Sequence, residues 1–165
     1  MTAPAHHHAH GPANRRRRIV RTAAPLFVVE PAGPVRGGAL VLHGAAGLTE
    51  EVERYCRDLA LGGRLAVAPY HYYESGGREY PDPATAPELA TEALHEDATA
   101  ALDYLVRRRG LGTGRIRAHG FGAGVGLARW MAAHHPIASA VRAVPEPAQP
   151  TEPTTPGRAP AEERS

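Results

Sequence analysis

The sequence predicts an α/β domain, a mostly parallel sheet with helices on both faces. Two short apolar runs, Ala39-Leu40-Val41-Leu42 and Leu65-Ala66-Val67-Ala68, carry no polar side chain toward either face, as strands buried on both sides do. Segments with apolar residues at helical spacing follow them, and this alternation is the pattern of a sheet wound by helices. No internal repeat interrupts it.

The elements follow in order. Leu26 to Val29, bounded by Pro25 and Pro31, reads as a short strand leading into the turn Pro31-Ala32-Gly33-Pro34. Glycines flank the Ala39 to Leu42 strand. Thr49 is the expected N-cap of the first helix, with Glu50 and Glu51 complementing the dipole and Val52, Cys56, Leu59 and Ala60 on one face. Gly62-Gly63 ends it. The Leu65 to Ala68 strand stops at Pro69, and a loop rich in tyrosine and glycine runs to about Pro87. From about Glu88 a second helix gathers Leu94, Ala98, Ala101, Leu102 and Leu105 on one face. Arg107 to Arg109 fall in its last turn, and Gly110 supplies the left-handed residue beyond.

Arg115 to His119 is the next strand, although Arg117 and His119 interrupt its apolar character; either they reach the sheet edge or the strand is compromised. A third helix, about Ala123 to His134, packs through Leu127, Trp130 and Met131, and a last strand spans Ser139 to Val144. This gives a domain over 19–144, close to the commonest domain size. Residues 1–18, with His6, His7, His8, His10 and Arg15 to Arg18, lack the apolar content to bury a core. Residues 145–165 are broken by Pro145, Pro147, Pro150, Pro153, Pro156 and Pro160. Both ends are expected to be disordered.

The 165 residues are 42% hydrophobic with net charge +2, which suits one soluble globular domain. No run approaches the roughly 20 apolar residues that span a bilayer, and the single Cys56 forms no internal disulfide. Cytoplasmic residence is therefore expected. The histidine tract lacks the pre-organised geometry of a metal site, so no metal or cofactor is expected. The Arg15 to Arg18 cluster has no interleaved aromatics to stack bases, which makes a nucleic-acid partner the weaker reading.

The most informative segment is His119-Gly120-Phe121-Gly122-Ala123-Gly124. A strand runs straight into a helix there, and the glycines allow a sharp bend. Such a bend carries a catalytic nucleophile in one large class of hydrolases. Here Gly122 stands where that side chain belongs.

With Val41-Leu42-His43-Gly44-Ala45-Ala46-Gly47-Leu48, Leu65-Ala66-Val67-Ala68-Pro69 and Asp97-Ala98 through Tyr104-Leu105, this segment resembles the dienelactone hydrolase family of α/β-hydrolases. The resemblance runs from Leu26 to about Val144. It implies an incomplete α/β-hydrolase fold, with ester or lactone hydrolysis as the family activity. The family pattern is Gly-Phe-Cys-x-Gly, which puts the cysteine nucleophile at Gly122 and a linked glutamate at Gly44. The triad aspartate and histidine would follow two further strands, before which this chain becomes proline-rich. The resemblance thus implies a truncated chain without a competent catalytic residue.

By the same resemblance the backbone amides of Ala45 and Ala123 form an oxyanion hole beside His43, Gly44 and His119, able to hold a small carboxylate or lactone. Cys56 shares an apolar helix face and reads as a core residue; Ser75 reads as a loop residue. His43 and His119 read as structural rather than catalytic, and His134 and His135 as marking an exposed helix end. Missing last strands would bare a sheet edge, from which self-association is expected.

Overall fold

The computed structural model describes residues 23–144. Five strands form one sheet in the order β1-β3-β2-β4-β5, where β1 is Leu26–Val29, β2 Gly37–Leu42, β3 Arg64–Pro69, β4 Ile116–Phe121 and β5 Ala138–Val144. All neighbours are parallel except β1, which runs antiparallel to β3. The expectations for the histidine- and arginine-rich arm 1–18 and the tail 145–165 lie outside the described residues. Among those described, no helix is long and apolar enough to cross a membrane.

Strand alternation sorts the core into two layers. Ala39, Val41, Ala66 and Ala68 face helix α1 (Glu50–Leu61), packing with Val52, Cys56 and Phe121. Leu40, Leu42, Leu65 and Val67 face α2 (Thr91–Asp103) and α3 (Gly124–His134), meeting Ala98, Leu102, Leu127 and Met131. Thr49 caps α1 as its position implies, its hydroxyl accepting from the Val52 amide at 3.3 Å. The second helix starts later than its periodicity suggests. Ala90 is extended, and Glu88 and Leu89 line a cavity instead of beginning a turn. The helix then widens into a π turn over Tyr104–Arg108 before Gly110, at φ +70°, ends it.

The polar residues of β4 are accommodated individually. Arg117 is exposed near the strand's start. His119 is buried among the residues facing α1, where the Tyr55 hydroxyl and His119 Nδ1 share a 2.9 Å hydrogen bond. A buried polar group with a partner is tolerated in a strand.

Close approach of α3 to the sheet depends on two glycines. A Cβ at Gly120 would lie 2.5 Å from the Val125 backbone nitrogen, and one at Gly124 only 2.3 Å from the Leu42 carbonyl oxygen. No side chain fits at either position, so the helix sits directly against the ends of β2 and β4.

Candidate functional site

Along the chain the sheet grows from β2 to β3 on one side and then returns to β4 on the other. The switch falls between β2 and β4, and open parallel sheets bind ligands beyond the strands' C-terminal ends at such a point. A cavity of about 280 Å³ lies there, lined by His43, Gly44 and Ala45 after β2, Ala123 and Gly124 after β4, and residues from the β3–α2 connection.

The bend after β4 turns on Gly122, whose φ of +48° is left-handed. Glycine adopts this conformation without the Cβ penalty other residues meet. Gly122 and Ala123 are both exposed. Among the described residues neither the Ala45 nor the Ala123 amide has a backbone hydrogen-bond partner. The Ala123 amide sits at the start of α3, where partial positive charge collects.

His43 is closed to proton transfer. Its Nδ1 donates to the Gly44 carbonyl at 2.9 Å, and its Nε2 accepts from the His71 amide at 3.2 Å. Both nitrogens are thereby committed and the ring is neutral. Burial, with a smaller contribution from the neighbouring His71, lowers its pKa to about 3, against the opposing bond to Gly44 and the charge of Asp97.

The structure corrects the placement of His119. It is absent from the cavity lining, because alternation along β4 turns it toward Tyr55 and Phe121 on the α1 side of the sheet. Cys56 is fully buried in the same layer, and burial pushes its thiol up to about 12 despite the opposing charge of Arg57. Thiolate chemistry at that position is suppressed. Ser75 closes a short 3₁₀ turn, Tyr73–Ser75.

Two residues not assigned to the site from the sequence join it. His71, 1% exposed, lines the cavity from the end of β3, and its Nδ1 lies 3.0 Å from Oδ2 of Asp97, which is fully buried on α2. The other carboxylate oxygen of Asp97 accepts the Ala24 amide at 3.0 Å. The His71 Nε2 is buried and has no hydrogen-bond partner among the described residues. A signal for Asp97 was present in the sequence. It falls on the apolar face of the second helix between Leu94 and Ala101, where a carboxylate requires a partner.

No curated protein matches the chain. Solved structures do. The chain is 26% identical to a putative dienelactone hydrolase from Klebsiella pneumoniae, covering 68% of this chain and 50% of that one, with a TM-score of 0.51. A hypothetical protein from Pseudomonas aeruginosa matches at 21% identity over 72% of this chain and 37% of its own, with a TM-score of 0.54. A thermostable carboxyl esterase from Bacillus coagulans matches at 18% identity over 67% of this chain and 36% of its own, with a TM-score of 0.50. The last two show the fold alone, an α/β-hydrolase-like one. The chain thus spans half the length of the Klebsiella protein and less of the others. The sequence pattern of one family, described as the dienelactone hydrolase family, matches residues 25–161. Since that match takes in most of the chain, the protein belongs to the dienelactone hydrolase family.

Proposed function

We propose that this member of an ester- and lactone-hydrolysing family holds a small carbonyl compound, a lactone or carboxylate, without turning it over. The observation that carries the reading is Gly122. The chain makes the left-handed bend and puts no side chain there. Serine, threonine, cysteine and lysine are all missing from the cavity lining among the described residues, and Cys56 is sealed on the inner face of α1. The amides of Ala45 and Ala123 need no side chain to bind an oxygen. A site that loses its nucleophile loses on the order of 10⁶ in kcat while binding can persist.

The test has two arms. Purified protein is incubated with p-nitrophenyl butyrate and followed by absorbance and intact mass, and γ-butyrolactone is titrated while the amide resonances of Ala45 and Ala123 are recorded. Hydrolysis at the buffer rate, an unmodified mass and saturable shifts of both amides are expected. An acyl adduct on any residue, or turnover that survives Cys56→Ala, overturns the noncatalytic reading. Static amide resonances overturn the binding reading.

A further inference from the structure

The pairing of His71 with Asp97 gives the cavity wall a defined chemistry. A carboxylate only accepts hydrogen bonds, so the 3.0 Å contact requires the proton on His71 Nδ1. Asp97 is itself fixed, its second oxygen accepting the Ala24 amide. In the neutral imidazole Nε2 then carries a lone pair, on the far side of the ring from Asp97. That atom is buried and without a partner, and a buried polar atom left so is costly. The edge-to-face contact of the His43 and His71 rings, 4.6 Å between centroids and inclined by 62°, and the bond from the His71 backbone amide to His43 hold the ring in place.

The cavity's charge narrows the ligand further. Among the described residues neither lysine nor arginine lines it, whereas Glu88 does, so an anionic ligand finds no charged counterpart among them and loses its hydration. Apolar surface from Leu89, Leu94, Leu127 and Tyr72 completes the walls.

We infer that the cavity selects an uncharged carbonyl compound bearing a hydroxyl, a hydroxylactone or hydroxyester, whose carbonyl oxygen meets the Ala45 and Ala123 amides while its hydroxyl donates to His71 Nε2. This rests on the binding reading above and adds the group that confers specificity. Asp97 is a positioning residue. It fixes the tautomer and touches no ligand.

The test compares γ-butyrolactone carrying a hydroxyl at the α or β carbon with the corresponding methoxy compounds, which accept but cannot donate. Wild type is expected to bind a hydroxylated member about tenfold more tightly than its methoxy counterpart, the value of one such bond. In Asp97→Asn the amide nitrogen donates to His71 Nδ1, the ring proton moves to Nε2, and the preference falls to about onefold. Nitrogen-15 spectra of the His71 ring read the tautomer directly in both proteins. They also supply a measurement that needs no variant, because the Nε2 resonance should move on titration with the hydroxylactone and stay with the methoxy compound. Equal affinities in wild type, a preference that persists after the tautomer has switched, or an Nε2 resonance unmoved at saturation overturns the role of His71 and leaves the binding reading standing. If no lactone moves the Ala45 and Ala123 amides, both fall together.

Discussion

Alanine substitution at two glycines of one helix should move stability in opposite directions. Gly124 and Gly126 both lie in the first turn of α3. At Gly126 a Cβ meets nothing within 4 Å, whereas at Gly124 it lies 2.3 Å from the Leu42 carbonyl oxygen and 2.8 Å from that of His43. Both obstacles are backbone atoms of a buried strand end, so relief requires the helix to move off the sheet. Overpacking of this kind costs about 3 kcal/mol, the upper part of the usual range. The helix-propensity gain of alanine over glycine returns somewhat under 1 kcal/mol. Gly124→Ala is therefore expected to destabilise by about 2 kcal/mol, while Gly126→Ala stabilises by about 0.5 kcal/mol. For a domain of this size these amount to a melting temperature lowered by roughly 6–10 °C and raised by roughly 2 °C. Urea titrations followed by Trp130 fluorescence and far-UV circular dichroism measure both. Gly124→Ala should also erase the lactone-induced shifts of the Ala123 amide, since the bend moves with the helix. A Gly124→Ala protein as stable as wild type, or two shifts of the same sign, refutes the close approach of α3 to β2.

Three further outcomes are expected. Because His43 titrates near 3 when folded and at 6.5 when unfolded, the unfolded chain takes up a proton first as the pH falls. Stability contributed by His43 is full above pH 6.5 and declines toward pH 3 by on the order of 4 kcal/mol; His43→Gln should lack this share of the decline in urea titrations across that window, and an identical pH profile counts against a neutral, committed ring. Cys56, its thiol raised to about 12, should resist iodoacetamide at pH 8 until urea unfolds the chain; rapid labelling of the native protein contradicts its burial. Strand β5 pairs with β4 alone among the described strands, and sedimentation velocity should show concentration-dependent self-association through that edge; a single monomeric species over the micromolar range argues otherwise.

Much of the architecture was legible because it rests on local signals. Uninterrupted apolar runs marked β2 and β3, Thr49 and Gly62 marked the ends of α1, and the repeated glycines marked the bend at Gly122. The antiparallel course of β1 and the order of the strands were not legible. They depend on pairings between segments distant in sequence, such as Leu26 with Pro69. His119 was misplaced for a related reason, since adjacency to the bend in sequence says nothing of which face its side chain takes. His71 lay in a loop with no local pattern to distinguish it. Only the fold brings it to Asp97, 26 residues away, and only that contact gives its ring a defined tautomer.

The bonds from the Ala24 amide to Asp97, from His71 to Asp97, from the His71 amide to His43 and from His43 to Gly44 form one unbroken relay. Four stretches of chain are fastened by it, the longest step bridging 73 positions. Such a relay has no independent links. Peeling the leading segment away at Ala24 strips Asp97 of one donor and loosens the ring that Asp97 steadies, so the wall of the cleft answers to events where the chain enters the edge strand β1. Amide exchange at Ala24 and His71 should accordingly proceed as a single opening.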